Sequence, residues 1–288
     1  MNNKKLLLQK NIGIFRYGKK EIPFCFWAHL SDNTSTIDTV IFLGSGQSGR
    51  IVKWAAGNAP TGTVIVEGLP HKLADRSARD LKEFTKQYTE VALLSVTKVF
   101  DISSVNVIAE SQAAPGVIWT ALDHLDKVKN VALIAPLGFT AHTLGDSPKQ
   151  RLKKLKRRAF LSALQFKQSP LYDVRNFYLG FLMVYVVLHD AKWNVSGQKY
   201  AVGASHDVRL EADELANYLH KNGRSLMLIL GERDKIFSPH EVMSSVEGMG
   251  IKHITTIVLE TSHTSLAIRD GKHILDRAVR AVRLSSRS

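Results

Sequence analysis

The chain has 288 residues, with 39 Lys and Arg against 26 Asp and Glu for a formal charge of +13, and it is 44% hydrophobic and 23% charged. That length admits one large α/β domain with an insertion or two small domains, and the balance of apolar and charged residues excludes a disordered chain. The lone Cys25 excludes an internal disulfide and makes a reducing cytoplasm the expected location.

At the amino end, Lys4-Lys5 is followed only by Leu6-Leu7-Leu8 before Gln9-Lys10, too short an apolar run for a signal peptide. Short β-branched or apolar runs then recur as candidate strands at Ile12–Tyr17, Phe24–His29, Thr39–Leu43, Thr63–Val66, Val105–Ala109, Val131–Ala135, Leu226–Leu230 and Thr255–Leu259. Gly18-Lys19-Lys20-Glu21 between the first two reads as a hairpin turn, and Cys25, inside an apolar run, as a small core residue. Later strands are separated by spans long enough for crossover helices; Leu81, Phe84 and Tyr88, for example, recur at helical spacing. A hairpin feeding strand–helix units predicts an α/β fold with a mostly parallel eight-stranded sheet and helices on both faces. The stretch 141–200 breaks this rhythm. It predicts a mainly helical cap inserted between core segments 1–140 and 201–288, over the end of the sheet where such folds bind ligands. Its apolar segment Phe177–Leu188 is 12 residues long, short of the ~20 that a membrane-spanning helix needs.

Chemistry gathers at three strand ends. Val107-Ile108-Ala109-Glu110-Ser111-Gln112-Ala113-Ala114 is an apolar strand running into a serine flanked by small residues, with Pro115 placed for the first turn of a helix. Leu226–Leu230 runs into Gly231-Glu232-Arg233-Asp234, then Ile236-Phe237-Ser238-Pro239. Thr255–Glu260 leads to Thr261-Ser262-His263. Singly these have plain readings: a strand-end serine, a turn aspartate, one of eleven histidines. Together they place a nucleophile, an acid and a base in order, each just past a strand end.

This pattern resembles the α/β-hydrolase superfamily, in its esterase- and lipase-like serine branch. The serine resembles the nucleophile elbow, usually G-x-S-x-G, with Ala109 and Ala113 replacing both glycines. The resemblance implies Ser111 as nucleophile, His263 as base and Asp234 as the acid orienting the base. A serine hydroxyl attacks a carbonyl only when an imidazole takes its proton, and a carboxylate fixes the tautomer of that imidazole. The resulting oxyanion needs preorganised donors. The resemblance assigns these to the backbone N–H groups of Gln112 and Ser45, although Leu43 stands where the family often has a histidine. It also implies hydrolysis of an ester, thioester or lactone through an acyl-enzyme, with no cofactor. A non-catalytic ligand-binding relative fits the same residues.

Gly44-Ser45-Gly46-Gln47-Ser48-Gly49 competes with this reading. It matches G-x-G-x-x-G after a strand, with Glu67 at the end of the next strand as a ribose-binding acid, a fingerprint for an NAD(P)-dependent oxidoreductase. But the loop follows the third strand, after a hairpin, where the fingerprint ordinarily opens the first βαβ unit. That reading also leaves Ser111, Asp234 and His263 idle. A glycine loop serves an oxyanion hole equally well, because backbone must approach the reacting carbonyl.

Two features of the cap complete the expectations. Phe177, Phe181, Leu182 and Val186 are expected to line the acyl side of the pocket, since an apolar cap segment is costly to expose. Seven of the ten residues Lys149–Arg158 are basic. The plain reading is a solvated helix face; the alternative is weak association with an anionic surface. No aromatics interrupt the run for base stacking, so no specific nucleic acid is expected, and no metal site is either.

Overall fold

A computed structural model of the chain describes residues 6–31, 36–44, 49–69, 78–139, 208–234, 237–261 and 271–286. The cap 141–200, the basic run Lys149–Arg158 and the pocket candidates Phe177, Phe181, Leu182 and Val186 lie outside the described residues.

Among the described residues, the strands are β1 (Leu6–Tyr17), β2 (Lys20–Ser31), β3 (Thr39–Phe42), β4 (Thr63–Val66), β5 (Val105–Glu110), β6 (Val128–Ile134), β7 (Leu226–Gly231) and β8 (Ile254–Leu259). They form one eight-stranded sheet in the order β1-β2-β4-β3-β5-β6-β7-β8. The β1–β2 and β2–β4 pairs are antiparallel and the rest parallel. Every residue of β3, β4 and β5 is buried, as a parallel strand covered on both faces requires. The eight expected strands are present, and the outer ones run longer than expected because Gln9, Lys10 and Asn11 hide the start of β1 in the sequence.

The hairpin turn is shorter than expected. Tyr17 pairs directly with Lys20, so only Gly18 and Lys19 connect the strands, and Gly18 has φ 58°. A glycine in the left-handed region at the first turn position matches the right-handed twist of a hairpin.

Helices α1 (Arg50–Asn58), α2 (Ala78–Val99), α3 (Ala114–Asp123), α4 (208–221), α5 (Pro239–Gly248) and α6 (Gly271–Ser285) cover the sheet. Side chains alternate across a strand, which assigns the faces. Phe24 meets Tyr88 of α2 edge-on at 5.6 Å. Trp27, on the other face of β2, lies 5.6 Å beneath the Lys53 ammonium of α1. Helix α3 packs on α2, and α6 packs on α1. Gly116 of α3 permits the first contact, since a Cβ there would stand 2.4 Å from the Thr89 hydroxyl of α2.

A polar clasp closes the amino end of the central strands. Buried Asn130 on β6 accepts the Ser225 N–H at 2.8 Å, and its amide nitrogen lies 3.0 Å from Asn106 Oδ1 on β5 and 2.7 Å from the Ser286 hydroxyl after α6. The Arg283 guanidinium donates to Asp38 at 2.8 Å and to the Thr61 carbonyl at 2.7 Å. Each buried polar atom thereby recovers the bonds it would make in water.

Cys25 departs from expectation. It is half-buried, not a core residue, because it lies on the face of β2 opposite Phe24 and Phe26. Burial and the neighbouring Glu67 carboxylate push its thiol pKa up, which suppresses thiolate chemistry there.

Candidate active site at the carboxyl ends of the central strands

Ser111 follows the last residue of β5 and begins a short 3-10 turn, Ser111–Ala113, that runs into α3 with Pro115 in its first turn. Its φ is +50°. A residue with a side chain pays roughly 1–2 kcal/mol in that conformation, and such strain persists only where the surroundings enforce it. They do so here. Ala109 and Ala113, two residues either side, are 0% and 6% exposed, so both small side chains are enclosed where a larger one would not fit. The Ser111 carbonyl accepts the Leu137 N–H at 3.1 Å, tying the turn to the segment after β6. Ser111 and Gln112 themselves are only partly buried, so the turn is not sealed within the core.

The adjoining glycine loop is anchored at both described ends. Leu43 donates its N–H to the Val66 carbonyl at 3.2 Å. The Gly44 N–H donates to the Glu110 carboxylate at 3.3 Å. Gly68 presses on the same point: a Cβ there would fall 1.8 Å from the Gly44 carbonyl oxygen. At the far end Gly49 has φ 58° and its carbonyl accepts the Lys53 N–H at 3.2 Å. Ser45, Gly46, Gln47 and Ser48 lie outside the described residues, so the backbone N–H assigned to Ser45 is not placed.

Glu110 was missed in the sequence. It is 4% exposed, directly precedes the serine, and holds the start of the glycine loop. The available signal was a carboxylate ending the otherwise apolar strand Val105-Asn106-Val107-Ile108-Ala109.

Asp234 stands three residues past β7 and is 2% exposed. It is more enclosed than a solvent-reachable strand end would suggest. Its Oδ1 accepts the Phe237 N–H at 2.9 Å, and its own N–H donates to the Gly231 carbonyl at 2.9 Å. The same turn is joined to the strand beyond it. Glu232 donates its N–H to the Leu259 carbonyl at 2.7 Å, and Arg233 donates to the Thr261 carbonyl at 3.0 Å. The chain leading to His263 therefore starts against the Asp234 turn. His263 itself lies outside the described residues. Glu232, the other acid of this turn, is exposed.

Glu67 is occupied structurally. Its carboxylate accepts the Cys25 N–H at 2.8 Å, and its backbone carbonyl accepts the Tyr88 hydroxyl at 3.0 Å. Burial raises its pKa above the ordinary carboxylate value, with the Cys25 N–H and Lys10 pulling the other way. These bonds join β4 to the hairpin and to α2, and they engage the acid that the dinucleotide reading needs for a ribose. Among the described residues no group of three or more His, Cys, Asp or Glu could hold a metal ion, and no helix is long and apolar enough to cross a membrane.

No family model and no curated protein matches the sequence. Solved structures match over nearly the whole length. A carboxylesterase structure from Nitrososphaera gargenis is 13% identical with a TM-score of 0.60, covering 96% of this chain and 99% of that one. A peroxisomal α/β-hydrolase from Saccharomyces cerevisiae is 8% identical with a TM-score of 0.60, covering 100% of this chain and 91% of that one. An enol-lactonase from Burkholderia xenovorans is 14% identical with a TM-score of 0.55, covering 98% of each chain. The chain has the α/β-hydrolase fold.

Proposed function

We propose that this protein is a serine hydrolase that cleaves a carboxylic ester, thioester or lactone through an acyl-enzyme intermediate. The observation that carries the reading is the turn at the end of the central strand β5, where a partly exposed serine with a left-handed backbone (φ +50°) stands between the enclosed small residues Ala109 and Ala113 and runs into α3. The left-handed backbone alone is shared with Ala135 after β6, and the serine is what distinguishes this turn.

In this reading the His263 imidazole takes the Ser111 hydroxyl proton as the serine oxygen attacks the carbonyl carbon. The carbonyl π electrons move onto oxygen, giving a tetrahedral oxyanion that the Gln112 and Ser45 N–H groups receive. The imidazolium, stabilised by Asp234, returns its proton to the leaving oxygen or sulfur as the bond to carbon breaks. Water, deprotonated by the same imidazole, attacks the acyl-enzyme and releases the acid. The burial of Asp234 supports its role, since a carboxylate shielded from water interacts more strongly with an imidazolium. The Glu110 contact to Gly44 supports the oxyanion loop by fixing where it starts. Phe177, Phe181, Leu182 and Val186 remain the proposed acyl wall.

Labelling with a fluorophosphonate tests the assignment directly. The expected adduct is a single phosphonyl group on Ser111, absent from Ser111→Ala, with kcat for an activated ester reduced roughly 10⁴-fold or more in that variant. Wild-type turnover by Ser111→Ala, or an adduct on another serine, would overturn the reading.

A further inference from the structure

We propose that the β1–β2 hairpin docks the protein on an anionic lipid surface. Phe26 of β2 pairs with Val66, the last residue of β4, so Lys20–Phe24 and their partners Gly13–Tyr17 project past the carboxyl end of β4. Five residues on each strand extend the overhang by roughly 15 Å.

The two faces of that overhang differ. On the inner face Phe15 meets Phe84 at 5.2 Å and Tyr88 at 5.6 Å, edge-on in both cases. Gly13 leaves room there for the Phe24 ring, which a Cβ would strike at 2.2 Å. The outer face carries apolar groups with no described residue packed over them. Ile12 is 64% and Ile14 53% exposed, opposite Cys25 and Pro23 across the strand pair. Cations frame this patch: Lys10, Arg16, Lys19 and Lys20 are all exposed, while of the two acids beside them Glu21 is held by Arg16 at 2.9 Å and Glu67 by the Cys25 N–H at 2.8 Å, with Lys10 nearby.

Exposed β-branched apolar side chains inside a basic rim suit the headgroup region of a bilayer, where apolar groups enter the acyl boundary and cations meet anionic lipid. Charge selects this occupant over a second copy of the chain. Pairing two β1 edges would bring the same lysines of two +13 chains together, which costs energy where an anionic surface supplies it. The overhang leaves the sheet on the side where Gly44, Glu67 and Ser111 stand, so docking through its outer face holds that end of the molecule near the lipid. Docking does not rest on the ester reading; its corollary, that the substrate is a lipid-borne ester, does.

Sedimentation of the full chain with vesicles tests the proposal. Phosphatidylcholine vesicles containing phosphatidylserine should bind at least about tenfold more protein than phosphatidylcholine alone, and added salt should erase the difference. Ile12→Thr/Ile14→Thr keeps the strand propensity of exposed sites and should lose most binding, as should Lys10→Gln/Lys19→Gln/Lys20→Gln. Both variants should melt like the wild type and keep its turnover of a water-soluble ester, which separates failed docking from failed chemistry. Equal binding to both vesicle types, or undiminished binding by either variant, would overturn the proposal. So would a concentration-dependent dimer that the double Ile variant abolishes, which would assign the face to a second copy.

Discussion

Glu67 and Asp234 occupy comparable places, one residue past β4 and three past β7, and the sequence offers either as the acid of a functional site. Their bonds separate them. Glu67 reaches an element 42 residues away in sequence, the backbone of Cys25, and so welds the hairpin to the parallel strands. Asp234 accepts an N–H only three residues on, while the backbone beside it is stapled to the strand that leads to His263. A strand-end position does not make an acid functional; what it is bonded to does.

The largest test of this contrast is activity. Asp234→Asn should lower kcat for an activated ester by roughly 10³–10⁴-fold, because the amide favours the wrong imidazole tautomer. Glu67→Gln and Glu232→Gln should leave it nearly unchanged. Steady-state kinetics on the three purified variants decide the matter. A severe loss in Glu67→Gln with Asp234→Asn active would reverse the two roles.

Glu110 provides an intermediate case: a buried carboxylate that accepts, among its contacts, the Gly44 N–H. Glu110→Leu fills the space but leaves that donor unpaired, an expected cost of about 1–3 kcal/mol in denaturant unfolding. Glu110→Gln keeps an acceptor and should recover most of the loss.

The smallest effect concerns Glu67 and pH. Its pKa in the folded protein is raised from 4.5 by burial, so its contribution to stability is fully present below that value and is lost as pH rises through the folded one. Glu67→Gln does not titrate. Its melting temperature should therefore gain on the wild type as pH is raised from about 4 to neutrality. A wild type that gains instead would mean the anion is the favoured form.

Legibility in the sequence followed the burial of each element. The span Thr63–Val66 was read with its true limits because all four residues are apolar or β-branched and all are buried. The start of β1 was lost because its exposed edge tolerates Gln9, Lys10 and Asn11, which break the apolar pattern. Around Ser111, chain order and small neighbours were legible, whereas the left-handed backbone was not: alanines at 109 and 113 carry no conformational mark of the turn between them. The Glu110–Gly44 bond joins residues 66 apart, and no local pattern records such a pairing.

The clasp at the amino end of the sheet has a kinetic consequence. Asn130 meets Ser286 across 156 residues, and Arg283 meets Asp38 across 245. Contacts of such span form only after much of the intervening chain has been gathered, so this sheet is expected to fold slowly. Helix α6 packs on β5 and β6, so a chain in which it had not yet docked would leave those apolar strands open to other molecules. Refolding yield should accordingly fall as protein concentration rises, because association of incompletely folded chains competes with closure of the clasp.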